Sequence, residues 1–137
     1  MLRSILSKSL TTKYLTNPLL TRSLNLSVKS LDKKEYTNSE EWLYHTMEST
    51  RIGLTQKAID ELGDLVYIEY LSEKGGIVKE NEDLVIIESV KASNSISAPY
   101  DLVVLSNNIT LEEELDNVNK DPENVDTSWI IKIDKIL

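Results

Sequence analysis

Cysteine and phenylalanine are missing from the 137-residue chain, and histidine occurs once, at His45. Without cysteine there is no disulfide framework, no thiolate zinc site and no thiol nucleophile. With one histidine, a Ser-His-Asp triad in its usual form and a multi-histidine metal site are both disfavoured. Glycine is scarce too, with four in all, and no glycine-rich phosphate loop exists. Gly75-Gly76 lacks the following Lys-Ser/Thr and a helix behind it, and reads as a turn. No run approaches the roughly 20 apolar residues of a membrane span. A net charge of −8 disfavours nucleic acid as a partner. What remains is a chain of single-domain size with apolar content adequate for one core.

Acids are also missing locally. Residues 1–31 contain Arg3, Lys8, Lys13, Arg22 and Lys29 but no Asp or Glu, and Ser or Thr fills ten of these positions. Leu2, Ile5, Leu6 and Leu10 fall at helical spacing with bases between them. This is the make-up of a mitochondrial transit peptide, whereas a secretory signal would need a longer apolar core. The other reading is a disordered basic tail. We expect a presequence over 1–31 with Arg22 near its cleavage region, a mature domain over 32–137, and a mitochondrial matrix location. All twenty-three acids then face the other ten bases, so the mature part carries −13.

From Asp32 onward the pattern predicts short strands. Residues 41–47 and 50–55 flank Glu48-Ser49 as the arms of a hairpin would. Thr55 is placed to cap a short helix whose one face carries Ala58, Ile59 and Leu62, and which Gly63 ends. Residues 64–71 alternate Leu65, Tyr67 and Glu69 against Val66, Ile68 and Tyr70, as a strand does. Gly75-Gly76 and the polar turn 79–83 break the chain. Strands follow over 84–90, 96–99 and 102–105. An acidic, irregular stretch over 111–124 has room for one helical turn, and a strand over 129–137 closes the chain. Many short strands with one short helix predict a mainly β fold, an antiparallel sandwich or flattened barrel.

Candidates for catalysis are few. Most carboxylates sit in charge runs such as 112–114 and 79–83, where a solvated face is the ordinary explanation. His45 falls in a strand beside Tyr44 and suits a structural or surface role better than catalysis. Ser89 follows Glu88 with no base nearby to activate it. Lys91 is different. It stands between the strand 84–90 and the small residues Ala92 and Ser93, at the tip of a predicted hairpin. A tight turn there holds the backbone and pushes the side chain into solvent. One reading is a solvated turn lysine, the commoner occurrence. The other is an amine held out for acylation by a second enzyme, which must supply an activated acyl group because an ordinary lysine is protonated at neutral pH.

Four segments carry a resemblance. "IESVKASNSISAP" (87–99) is similar to the E-S-V-K-A segment around the lipoyl-lysine of the H protein of the glycine cleavage system. "YTNSEEWLY" (36–44) resembles that family's entry strand, normally Y-T-x-x-H-E-W. "RIGLTQKAIDELGDLVYIEYL" (51–71) resembles its I-G-I-T-x-x-A-x-x-x-L-G-D segment, and "WIIKI" (129–133) its closing W-M-I-K-I strand. The order is the family's, and the four together span most of 33–134.

The resemblance implies a lipoyl-domain-like fold, a barrel-sandwich hybrid of short antiparallel strands. It implies lipoate in amide linkage on Lys91, with Glu88, Ser89, Val90 and Ala92 as the recognition motif around it. It further implies a carrier rather than a catalyst, served by three enzymes. In the family, glycine decarboxylase loads an aminomethyl group onto the arm, and aminomethyltransferase passes the one-carbon unit to tetrahydrofolate. Dihydrolipoyl dehydrogenase then reoxidises the arm. A lipoylating enzyme is the fourth partner, and Glu88 is either a group that this enzyme reads or a solvated strand residue. Strong acidity suits transient, charge-steered docking.

The chain differs from the family pattern at Glu40, which stands for a histidine, and at Asn81, Leu102 and Ser128, which stand for glycines. Val85 and Ile86 occupy usually small positions. A leucine at 102 is costly if that backbone needs positive φ. With these differences the resemblance takes in the main carrier and a divergent paralogue alike. Lipoyl and biotinyl domains of larger complexes centre on D-K-A or M-K-M, and neither occurs here. From another class, a non-catalytic relay or binding module of the same fold stays open. It would pass lipoyl groups to other mitochondrial enzymes, or dock partners without lipoylation.

Overall fold

The structure, a computed structural model, describes residues 32–137; the presequence expected over 1–31 lies outside the described residues. Lys33–Tyr36 (β1), Glu41–His45 (β2) and Thr50–Leu54 (β3) lead into the helix Gln56–Leu62 (α1). Leu65–Tyr70 (β4), Ile77–Val78 (β5), Asp83–Ser89 (β6), Ser93–Ser97 (β7) and Leu102–Asn107 (β8) follow. A 3-10 turn at Ile109–Glu112, a short helix at Asp116–Lys120 (α2) and the strand Ile131–Lys135 (β9) complete the order. The strands form two sheets, β1-β2-β3-β9-β8-β5 and β4-β6-β7, and every pairing is antiparallel. This is the mainly β architecture that the strand pattern predicts.

Alternation decides which side of each strand is inside. Leu43, Ile52 and Ile131 form one cross-strand row of the larger sheet. They share a core with Ile68, Leu84, Val85, Ile87 and Ile96 of the smaller sheet, each burial worth about 1.5–3 kcal/mol. On the opposite side of β2, Trp42 lies against Gly53 so closely that a Cβ there would come within 2.2 Å of the indole. The indole N–H donates to Pro122 O at 2.9 Å, which fixes the segment after α2. Ser128, fully buried, ties that segment to itself: its hydroxyl lies 3.0 and 2.6 Å from the carbonyl oxygens of Asn117 and Asp121. The helix α1 begins as expected, with Thr55 Oγ1 accepting from the Ala58 amide at 3.1 Å.

Several local expectations change. Residues 36–44 are not one strand, because a turn over 37–40 separates β1 from β2, with Glu40 at φ +65. In β4 the register shifts between Leu65 and Tyr67, so Val66 is an extra residue, and Leu65 and Ile68 are both buried. A β-bulge of this kind breaks strict alternation and re-aims the side chains around it. The polar run Ser93-Asn94-Ser95 is the first half of β7, held by its ladder to β6 rather than by apolar burial. β5, two residues long, is too short to leave a sequence pattern. Leu102 is fully buried and is not among the positive-φ residues, so no backbone penalty attaches to it; Asn81, at φ +70, does take that conformation, which asparagine tolerates.

Candidate functional site

The hairpin β6–β7 pairs up to Glu88 opposite Ser93, which leaves Ser89 to Ala92 to make the connection. Ser89 closes this turn. Its N–H donates to Ala92 O at 2.9 Å and its hydroxyl donates to the same oxygen at 3.1 Å. The hydroxyl oxygen also accepts from the amides of Lys91 and Ala92 at 3.2 and 3.1 Å. Serine does this well because its short hydroxyl reaches backbone groups two and three residues ahead.

The turn is also fastened from outside. Val90 N–H donates to Asp64 O at 3.2 Å, joining the tip to the residue after the α1 cap. Gly63, the cap, has φ +78 and ψ −176. A Cβ on it would stand 2.9 Å from Val90 Cγ2 and 3.7 Å from Lys91 Cε. The stem of Lys91 therefore lies across a glycine, while the side chain is exposed. Its ammonium makes no ion pair with another described residue. Ala92 and Ser93 beside it are small and exposed, and leave the amine approachable.

The residues singled out in the sequence thus come together at one hairpin end. Glu88 shares a face with Ile86, as alternation requires, and pairs with Tyr67 across β4. Val90 does not continue that face, because it belongs to the turn and gives its amide to Asp64. His45 lies between Glu35 Oε2 and Thr50 Oγ1, each at 2.9 Å, and ties β1 and β3 to β2.

Sequence reasoning missed a second feature. A cavity of about 320 Å³ lies between the larger sheet and β7, lined among others by Thr37, Ser39, Glu41, Asn94, Ser95 and Ser97. Glu41 is only 7% exposed. Its carboxylate accepts from the Thr37 hydroxyl, and its own N–H donates to Thr37 Oγ1 at 3.1 Å. Burial pushes the Glu41 carboxyl above the ordinary carboxylate range, with the Thr37 hydrogen bond pulling the other way. The signal was present in "EWLYH": Glu41 alternates in step with the buried Leu43, so its carboxyl faces inward. Asn94 on the cavity wall is three residues along the chain from Lys91.

A model of the family described as Glycine cleavage H-protein matches residues 34–136. The glycine cleavage system H protein of Listeria monocytogenes serotype 4b (strain CLIP80459) is 39% identical over 101 residues, covering 74% of this chain and 78% of that protein. The protein of the same name from Thermotoga maritima is 37% identical over 101 residues, with 74% and 79% covered. That of Synechocystis sp. is 35% identical over 102 residues, with 74% and 76% covered. Among solved structures, a glycine cleavage system H protein from Mycobacterium marinum superposes with a TM-score of 0.65 at 24% identity. It covers 73% of this chain and 81% of its own, a likeness at the level of fold.

Proposed function

The chain belongs to the glycine cleavage H-protein family, and from that premise we propose that it is the lipoyl carrier of a glycine cleavage system, with lipoate in amide linkage on Lys91. The family's proteins are carrier subunits that hold lipoate on a lysine, and the system they serve implies a decarboxylase and an aminomethyltransferase as partners. The observation that carries the reading is Lys91 itself. It is an exposed amine, in no ion pair with another described residue, within Glu88-Ser89-Val90-Lys91-Ala92, on a turn fixed from inside by Ser89 and from outside by Asp64.

The residues present fit the group. When bound in amide linkage to Lys91, lipoate would supply a sulfur pair able to exchange between disulfide and dithiol and to carry the aminomethyl group of glycine on sulfur. Everything else falls to the chain's own residues. Ser89 and the Val90–Asp64 bond hold the attachment point still, and Ala92 and Ser93 leave it room. Glu88 offers the lipoylating enzyme a charge to read. Glu41, in the cavity beside β7, offers a carboxylate to the amine that the carrier transports. The same reading takes 1–31 as a mitochondrial presequence, on its basic and acid-free make-up, and the matrix as the working compartment.

Lys91→Arg tests the reading. Arginine keeps the charge and the stem, and an exposed turn should tolerate it within about 0.5 kcal/mol, but it has no primary amine to acylate. Reconstitution with the three partner enzymes, glycine, tetrahydrofolate and oxidised nicotinamide cofactor should give carbon dioxide with wild type and none with Lys91→Arg. Equal release by the two proteins would end the proposal.

A further inference from the structure

One face of the smaller sheet ends at Lys91. Cross-strand pairing puts Tyr67 beside Glu88 in the row nearest the tip and Glu69 beside Ile86 in the next. The bulge in β4 exposes Val66 next to Tyr67, and Val90 stands on the turn. These three are 59%, 48% and 68% exposed, a group of large apolar side chains left in water. The charges along β4, β6 and β7 are all acidic: Glu69, Asp83 and Glu88. Lys91, in the turn that joins β6 to β7, is the single cation among them. A lysine in no ion pair with another described residue thus stands at the end of an acidic face, with exposed apolar side chains on the neighbouring strand and on its own turn. Some other lysines stand against carboxylates, as Lys34 does against Glu123 and Lys57 against Glu40, while Lys132 and Lys135 lie over the rings of Trp129 and Tyr100.

We propose that this face and the turn adjoining it are the docking surface for the enzyme that acylates Lys91, with Val66 and Tyr67 on the face and Val90 on the turn as its apolar residues and Glu69 and Glu88 as its charged rim. The enzyme meets it with a basic rim of its own. The inference rests on the carrier reading above and extends it from the modified atom to the surface that selects it. Reach decides between occupants. Acylation needs the acyl carbon within about 3–3.5 Å of Nζ, so the acylating enzyme must lie over whatever surrounds the lysine. In that step the deprotonated Nζ attacks the carbonyl carbon of a mixed phosphoric anhydride. The C–N bond forms, the C–O bond to phosphate breaks, the phosphate ester leaves, and the nitrogen releases a proton to give the amide. An enzyme that works on the far end of a finished arm has no such need to cover the tip. Exposed apolar groups at such a point are the usual mark of a protein contact.

The test uses the full chain in unmodified form with a lipoate–protein ligase, lipoate and ATP, read by intact mass. Val66→Ser with Tyr67→Ser should raise the KM for the carrier at least tenfold, with kcat changed less than threefold. Val90→Ser should raise it as well, without altering a strand. Wild-type kcat/KM should fall as salt rises, and Glu69→Gln with Glu88→Gln should flatten that dependence. Met47→Ser and Ile77→Ser, which are 68% and 67% exposed and lie outside the smaller sheet, should keep wild-type kinetics. A wild-type KM in both the double variant and Val90→Ser overturns the proposal. It is equally overturned if ready-lipoylated double variant loses as much glycine cleavage as it loses acylation, which would assign the face to the decarboxylase or aminomethyltransferase. Wild-type chain that the ligase leaves bare is a separate result: it overturns the carrier reading, and this proposal with it.

Discussion

Replacing Gly63 with alanine probes how the end of α1 carries the lysine turn. At φ +78 and ψ −176 the position lies in a region nearly closed to residues with a Cβ, and holding alanine there costs about 3 kcal/mol. The stiffer unfolded chain offsets about 0.7 kcal/mol of this, which leaves about 2 kcal/mol of lost stability. The new methyl group also meets Val90 Cγ2 at 2.9 Å. Because Val90 is 68% exposed, the contact is relieved by displacing the turn rather than by straining the core. Gly75 is the natural comparison, since it has φ +88 but nothing within 4 Å of its would-be Cβ. Gly75→Ala should therefore lose stability through its backbone alone and acylate at the wild-type rate. Gly63→Ala should lose about 2 kcal/mol and acylate more slowly. Urea unfolding measures the first quantity and ligase kinetics the second. A loss below about 0.5 kcal/mol in Gly63→Ala would refute the strain argument. The full loss with normal acylation would refute the idea that the helix end positions Lys91.

Ser89→Ala removes the acceptor for two turn amides at an exposed site; about 1 kcal/mol should be lost in urea unfolding, and hydrogen exchange should speed up at Lys91 and Ala92. Glu41 makes a pH-dependent prediction. Its folded-state pKa is raised by burial, so the folded chain binds more protons than the unfolded one, and stability falls as pH rises through the unfolded and then the folded value. Glu41→Gln should therefore melt above wild type at pH 7–8, and the difference should fade below about pH 4. Glu123 has the opposite sign. The Gln56 backbone amide holds its carboxyl below the ordinary range, so Glu123→Gln should melt below wild type at neutral pH, and that difference too should fade in acid.

The parts legible in the sequence are those with one dominant local cause. Thr55 and Gly63 bracket α1 because a hydroxyl and a missing Cβ are each needed at a helix end. The hairpin bearing Lys91 was legible because a continuous apolar strand stops at Ser89 and small residues follow. What stayed hidden depends on partners far along the chain. The bulge at Val66 exists because β4 must match β6 in register, and that pairing is not written in residues 64–71 alone. The strand character of Ser93-Asn94-Ser95 comes from the ladder to β6, not from their own propensity. The cavity around Glu41 needs β2, the 37–40 turn and β7 together, and only the inward phase of Glu41 could be read beforehand.

Peptide mass spectrometry of the protein taken from lipoate-replete cells tests the central claim most directly. The account predicts a lipoyl group in amide linkage on Lys91 and on no other lysine. An unmodified Lys91, in a sample whose other lipoyl proteins carry their group, would contradict it.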